Sequence, residues 1–338
     1  MNIIITGGLG YIGSHTVIEL VSNGYQPIII DNLSNSDISI IERIKSIIGY
    51  KPDFYNIDVR DYHSLNEIIK SYDKIDGIIH FAAFKSVSES VRKPITYYDN
   101  NLNSLMNVLN IMEENNIQLF VFSSSCTVYG QPHNLPVSED SPIQIAWSPY
   151  GNTKQISEEI IRDYINSGKN IKSIALRYFN PVGAHQSGKI GELPNGIPNN
   201  LLPYLTQTAF GIREKLLVYG SDYNTPDGTA IRDYIHVCDL ADAHIKALEF
   251  LKDIDKTYYD TFNIGTGKGF SVLDVINSAQ KFVDHKINYE LTNRREGDVE
   301  QIWSSPTKAN RVLKWHSKYG LDDMTKTALD WERHLRGL

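Results

Sequence analysis

The chain has 338 residues, 41% of them hydrophobic, which is enough for roughly two domains of ordinary size with real cores. A formal net charge of −7 and a pI near 5.8 exclude a broadly basic surface and with it general nucleic-acid or anionic-membrane binding, although a few local Arg and Lys suffice for an anionic nucleotide. No apolar run approaches the ~20 residues that span a bilayer, and no basic leader precedes the first strand, so a cytoplasmic location is expected.

The first elements are the strand Ile3-Ile4-Ile5-Thr6, the turn Gly7-Gly8-Leu9-Gly10 and a helix expected over Ser14–Asn23, with Gly13 close behind the turn. Gly24 stops the helix, and the strand Pro27–Ile30 ends in Asp31, which completes a βαβ unit. In this G-x-x-G-x-x-G spacing Gly7 permits the tight turn, Gly10 lets the backbone approach a pyrophosphate, and Gly13 lets helix pack on strand. Asp31, eighteen residues after Gly13, suits ribose hydroxyls and repels a 2′-phosphate, so the cofactor expected is NAD rather than NADP. The bland alternative, a connecting turn with Asp31 as a loop cap, does not account for the intact βαβ context.

Next come a helix near Ile38–Ile48, a strand over Pro52–Ile57 ending in Asp58-Val59, a helix over His63–Ser71 and the strand Gly77–Phe81. One long helical stretch is expected from Ile95 to Asn115, then the strand Gln118–Ser123, a helix over Pro149–Ser167 and the strand Ile171–Tyr178. Past Phe179-Asn180-Pro181 the texture turns to Pro, Gly and Asn-rich loops with shorter elements. The expected fold is α/β: a Rossmann-type doubly wound parallel sheet with a smaller mixed α/β C-terminal substrate domain. Residues 1–180 form the NAD-binding domain and 181–338 the nucleotide-sugar-binding domain, with a segment near 235–265, including the strand Tyr259–Ile264, returning to the large sheet. His80 and His236, in or beside apolar runs, read as satisfied core residues. Cys126 and Cys238 are too few for a disulfide framework and lack metal-ligand spacing to any His pair, so reduced thiols and no metal site are expected.

The chemistry-bearing residues lie at strand ends. Ser123-Ser124-Ser125 closes an apolar strand at the carboxyl edge where doubly wound sheets bind ligands. Ser148 and Pro149 make a natural N-cap and first helical residue, which puts Tyr150 in the first turn and Lys154 one turn later on the same face. A tyrosine, with a reference pKa near ~10, works as a base at neutral pH only when positive charge stabilises its phenolate, and Lys154 and an oxidised nicotinamide are the expected sources. Ser125 can hold a reacting oxygen against that phenol. Taken singly, Tyr150 is a packing aromatic and Lys154 a solvated charge; their order behind a nucleotide fold makes them a catalytic pair.

At this point the chain resembles the extended short-chain dehydrogenases/reductases, and among them the UDP-glucose 4-epimerases, along nearly its whole length. The likeness rests on Gly7 to His15, Tyr97-Tyr98-Asp99-Asn100-Asn101, Phe122 to Gly130, Arg177 to His185, Gly196-Ile197-Pro198-Asn199-Asn200-Leu201, Asp227-Gly228-Thr229, Arg232 to Val237, and Arg294-Arg295-Glu296-Gly297-Asp298. The resemblance implies that Gly7, Gly10, Tyr11, Ile12, Gly13, Asp31 and Asn32 hold the cofactor, that Asp58 and Val59 flank its adenine, and that Phe81, Ala82, Ala83, Lys85 and Asn100 line it. Ser125, Tyr150 and Lys154 would face the nicotinamide side, and Phe179 would close the site. For a UDP-hexose it implies Ser125 and Tyr150 at the sugar, Asn180, Asn200 and Leu201 around the ligand, and Leu217, Val218 and Tyr219 under the uracil. Arg232 and Arg295 would hold the diphosphate, for which guanidinium forks are suited. The implied reaction takes a proton and a hydride from the sugar C4 position, turns the resulting 4-keto sugar over and returns the hydride to the opposite face. Relatives of this kind are typically homodimers; apolar positions on the helices containing Asn103–Glu113 and Ser157–Asn166 could pair across a two-fold axis.

Two neighbouring readings and one departure from the family pattern matter. Nucleotide-sugar 4,6-dehydratases and UDP-glucuronate decarboxylases carry acidic residues where this chain has Cys126-Thr127, and neither side chain suits water elimination. A non-catalytic NAD-binding regulator is the third reading, against which the Tyr150–Lys154 pair argues. The position of Ile302 commonly carries a bulky Tyr in family members confined to unsubstituted hexoses. Ile302 therefore either leaves room for UDP-GalNAc and UDP-GlcNAc or is a plain packing residue in a pocket narrowed by another group.

Overall fold

The structure is a computed structural model that describes residues 1–295 and 299–338; Glu296, Gly297 and Asp298 of the Arg294–Asp298 motif lie outside the described residues. Strand and helix alternate through the first half: β1 (Asn2–Thr6), α1 (Tyr11–Ser22), β2 (Gln26–Ile30), α2 (Ile40–Ile48), β3 (Asp53–Tyr55), α3 (Tyr62–Lys70), β4 (Gly77–His80), α4 (Val87–Arg92), α5 (Pro94–Glu114), β5 (Leu119–Ser125), a 3-10 turn (Cys126–Tyr129), α6 (Pro149–Asn166) and β6 (Lys172–Tyr178). The remainder is β7 (Asn180–Val182), α7 (Leu201–Ala209), β8 (Leu216–Tyr219), β9 (Ile231–Arg232), β10 (Tyr234–His236), α8 (Val237–Lys252), β11 (Tyr258–Ile264), β12 (Phe270–Ser271), α9 (Val272–Gln280), β13 (Tyr289–Thr292), β14 (Gln301–Ile302), α10 (Thr307–Val312) and α11 (Leu321–Arg336).

Continuous Ile/Val/Phe runs dictate a sheet covered on both faces. Seven strands, all parallel to their neighbours, lie in the order β11-β6-β5-β4-β1-β2-β3. Alternation sends Ile3 and Ile5 to one face, against Val17, Leu20, Ile44, Leu240 and Leu248 from α1, α2 and α8. Ile4 goes to the other face, against Leu65, Ile69, Val108, Met112 and Ile161 from α3, α5 and α6. Each fully buried Ile or Leu contributes about 1.5–3 kcal/mol, so this sheet is the rigid platform. Strand order reverses between β1 and β4, which opens a crevice at their carboxyl ends. The chain leaves the sheet after β6 and rejoins it through α8 and β11.

A smaller lobe packs α7, α9 and α11 around Leu205, Val218, Val275, Met324 and Leu329. Its strands are short: β8 pairs with β13, β9 lies between β12 and β14, and β7 pairs with β10. One element is added and one boundary revised. The helix expected from Ile95 to Asn115 is the single helix α5, which starts at Pro94; before it lies a short helix that was not expected, α4, capped by Ser86 accepting from the Glu89 amide and separated from α5 because Pro94 drives Lys93 out of the helical region (φ −131°, ψ 55°). The first helix starts at Tyr11, three residues early, since Gly10 itself is its N-cap.

Candidate active site

The glycine-rich turn is shaped by close approaches rather than by side chains. Gly7 has φ +69°, and a Cβ there would stand 2.8 Å from the Ala82 nitrogen; a Cβ on Gly13 would stand 2.4 Å from the Gly7 carbonyl oxygen. A Cβ on Gly10 would meet only the Gly7 oxygen, at 3.2 Å, and would otherwise project into open space. No side chain caps α1, so its first amides and dipole are available to an anion. Asp31 is buried and accepts from the Leu9 amide (3.0 Å), the Leu33 amide (2.9 Å) and the Ser36 hydroxyl (2.7 Å), which fixes its carboxylate beside the turn. A turn with open space beyond its central glycine, next to a held carboxylate, fits a dinucleotide with an unphosphorylated ribose.

The other expected cofactor residues lie in α1, just past the carboxyl ends of β2, β3 and β4, and in α5. Asn32 donates to Asp58 (3.0 Å), and Arg60 bridges Asp58 and Asp99; the Arg60 contact holds the Asp58 carboxyl down at about 2. Asp58 opens onto a shallow cavity of about 520 Å³ lined also by Arg60, Asp61, Asp99, Asn103 and Asn107, and Val59 beside it is buried. The Phe81 ring lies 4.7 Å from that of His244, tilted by 53°, and Ala82 donates its amide to the Thr6 hydroxyl; Ala83 continues the same segment. Lys85 pairs with Glu192 at 3.6 Å. Asn100 is buried and donates to Asn101, a residue that reasoning from sequence left without a role; Asn101 ties Phe84 to Thr153 of α6. Tyr11 reaches the second lobe through the Gly183 carbonyl (2.6 Å), and Ile12 packs on the core. His80 and His236 have partners, in Thr6 and in Thr327 and the Cys238 amide respectively.

At the end of β5 the catalytic candidates converge. Ser148 accepts from the Gly151 amide (3.1 Å) and Pro149 occupies the first helical position, so Tyr150 enters the first turn of α6. Ser125 stands near enough to the Tyr150 hydroxyl to favour its ionised form, and its own hydroxyl accepts from the Thr127 amide (3.2 Å). Lys154 is buried, donates to the Ser123 carbonyl (2.6 Å), and lies 4.8 Å from the Phe122 ring and 6.0 Å from the Tyr150 ring. Burial pushes the Tyr150 phenol up to about 12, with Ser125 opposing it, and pushes the Lys154 ammonium down to about 7, with Glu158 opposing. Lys154 and an oxidised nicotinamide together were expected to lower the phenol; in the chain by itself burial dominates and holds Tyr150 protonated. A further positive charge beside the phenol is needed before it acts as a base.

On the facing side, Phe179, Ile302, Val128, Tyr129 and Val137 form a small apolar cluster, with Cys126 packed against it. Asn180 donates its amide to the Asp233 carbonyl. Asn200 is the N-cap of α7, donates its side chain to Glu192 (2.6 Å), and is followed by Leu201 against the second core. Leu217 and Tyr219 face outward while the Val218 side chain points into that core, leaving its backbone alone for a ligand. The Arg295 guanidinium lies 5.7 Å from the Tyr219 ring. Arg232 stands opposite Ile302 in the β9–β14 ladder and is held by the Ile231 and Glu300 carbonyls. Asp233, quoted in sequence only as part of a motif, is a buried hub. It accepts from Thr266, Gly267 and Ser304 at 2.5–3.1 Å and so joins β9, β14 and the end of β11. Glu158 was overlooked, and Arg177, quoted only as part of a motif, was given no role; a charged residue inside the apolar run 171–178 was the available signal.

The family profile described as GDP-mannose 4,6 dehydratase matches residues 4–328. The chain is 47% identical over 330 residues to the UDP-glucose 4-epimerase of Dictyostelium discoideum, covering 98% of this chain and 95% of that one. Among solved structures it is similar to the UDP-glucose 4-epimerase of Bifidobacterium longum in complex with NAD+ and UDP, with TM-score 0.95, 43% identity, and 99% and 98% of the two chains covered. It is similar also to the UDP-Glc/GlcNAc 4-epimerase of Campylobacter jejuni, with TM-score 0.83, 36% identity, and 98% and 99% covered.

Proposed function

The chain belongs to the UDP-glucose 4-epimerases of the extended short-chain dehydrogenases/reductases, and on that footing we propose that it interconverts UDP-galactose and UDP-glucose by inverting C4 with NAD retained. The observation that carries the reading is the group of Tyr150 with the buried Ser125 and Lys154 at the carboxyl edge of the sheet, together with a turn shaped for a dinucleotide. The dinucleotide, when bound, supplies a reversible acceptor for the hydride at C4 and a positive charge beside Tyr150. Tyr150 takes the proton of the sugar 4-hydroxyl and returns it after the 4-keto sugar has turned; Ser125 holds the reacting oxygen against the phenol. Lys154, 6.0 Å from the phenol ring, adds positive charge when protonated. Arg232 and Arg295 hold the diphosphate, and Leu217 and Tyr219 the uracil, so that anchoring falls on the UDP and the hexose stays free to rotate.

A dehydratase would need an acid at the start of the 3-10 turn. Cys126 there is a thiol that burial pushes up to about 12, and Thr127 is an alcohol, so elimination lacks its proton source. The division of labour is residues 1–180 for NAD and 181–338 for the nucleotide sugar, with α8 and β11 serving the large sheet. Among the described residues no helix is long and apolar enough to cross a membrane; the reading places the protein in the cytoplasm as a homodimer joined through α5 and α6, where Met106 is exposed. Ile302 admits N-acetylhexosamines as secondary substrates. An NMR time course with UDP-galactose and no added NAD tests the reading: conversion to the gluco epimer is expected, and a 4-keto-6-deoxy product or no change overturns it.

A further inference from the structure

Behind Tyr150, Ser125 and Lys154 runs a buried polar row to which the reaction gives no work. Glu158 follows Lys154 by four residues on α6, as Lys154 follows Tyr150, so the three share one face. Its carboxylate accepts from the Ser124 hydroxyl (2.5 Å) and from Arg177 at both oxygens (3.0 and 2.6 Å), and both charged side chains are about nineteen-twentieths buried, at 6% and 5% exposure. Ser124, Arg177 and Asn263 stand side by side in register on β5, β6 and β11. Arg177 goes on to donate to the Tyr129 hydroxyl (2.8 Å), which donates to Asn263 (2.7 Å), which donates to the Val137 carbonyl (2.9 Å). Val137 is bonded through its backbone to Trp303 and Ser305, beside Ile302.

A buried ion pair is a poor device for stability alone, since an apolar pair of like volume does as well once desolvation is counted. What this pair does have is position. Ser124 lies between Ser123, whose carbonyl receives Lys154, and Ser125, which meets Tyr150. We propose that the Glu158–Arg177 ion pair is the positioning element of the active site, holding Ser125 and Lys154 in reacting orientation and tying them to the segment that carries Ile302. The inference rests on the active-site reading above. The groups facing Lys154 are Tyr150 and Glu158 on its own helix, the neutral buried His80 at the end of β4, and the Phe122 ring and Ser123 carbonyl on β5. Of these only Glu158 brings a negative charge, and it favours the protonated amine; Arg177 is matched by the same carboxylate.

The test compares Glu158→Gln, Ser124→Ala and Tyr150→Phe as holoenzymes on UDP-galactose, measuring kcat and KM from pH 5.5 to 9.5 beside thermal stability. For Glu158→Gln a fall in kcat of about tenfold or more is expected with KM within about twofold. Its high-pH limb, where Lys154 loses its proton, should move about one pH unit lower. Ser124→Ala keeps the ion pair and should lower kcat severalfold without moving the limb. A Glu158→Gln enzyme that melts earlier but keeps the wild-type kcat and limb overturns the proposal. If Glu158→Gln does not fold, Ser124→Ala decides: lowered kcat supports the proposal and wild-type kcat overturns it. Tyr150→Phe separates the two failures. Full activity there overturns the active-site reading and this proposal together, whereas an inactive Tyr150→Phe beside an unaltered Glu158→Gln overturns this proposal alone.

Discussion

The two lobes build their halves of the site in opposite ways. In the first, binding surface is made of backbone: a contiguous strand, turn and helix, with glycines where any Cβ would collide and one carboxylate, Asp31, held by the turn it serves. In the second, the surface is made of side chains on short strands and loops far apart in sequence, gathered by the buried Asp233 hub and left partly exposed, as at Leu217 and Tyr219. A ligand to be kept through every turnover suits the rigid backbone cradle, and one that must exchange and rotate suits the assembled surface.

Tyr150→Phe breaks the comparison hardest, because the phenol is where the lobes' work meets. Loss of the proton path is expected to lower kcat by about 10³-fold, within the usual range for general acid–base groups. The fold and the bound dinucleotide should persist, as absorbance of the purified protein and thermal melting will show. Gly13→Ala comes next. Its methyl would sit 2.4 Å from the Gly7 oxygen, so turn and helix must separate. We expect about 1–3 kcal/mol of destabilisation and protein purified largely without NAD; wild-type NAD content would show that close packing there is not what retains the cofactor. Asp233→Asn attacks the second lobe's hub instead. It removes one acceptor from the set facing Ser304, Thr266 and Gly267, and should raise KM for UDP-galactose on the order of tenfold while NAD content stays normal, since a buried donor left unmatched costs about 1–3 kcal/mol.

The same contrast explains what could be read from the sequence. The cofactor turn was legible because its residues are neighbours in the chain, and the entry of Tyr150 into α6 was legible because Ser148 and Pro149 are local signals. The Asp233 hub was not, since its partners lie 33 to 71 residues away. Nor was the inward turn of Val218, which alternation on a two-sided strand leaves undecided until the lobe's core is known. The Tyr150–Lys154 spacing gave the pair but not its electrostatics: burial, a tertiary quantity, is the largest influence on both groups in the chain by itself. The start of α5 at Pro94 was legible to within one residue, whereas α4, six residues long, is too short for a helical period to show in the sequence.

Ile302 gives the smallest and most selective effect, and it sharpens the contrast from the exchanging side. Its side chain is 5% exposed and packs with Phe179 and Tyr129, opposite Arg232 across the ladder. Ile302→Tyr adds volume where an N-acetyl group would need it, and should lower kcat/KM for UDP-N-acetylgalactosamine by several-fold, the discrimination a filled apolar pocket can supply, with UDP-galactose turnover within about twofold. Because added volume in a packed cluster also strains its neighbours by about 1–3 kcal/mol, Ile302→Ala is the control. It should leave or improve N-acetylhexosamine turnover, and equal losses on both substrates in both variants would mark Ile302 as a packing residue with no part in selecting the sugar.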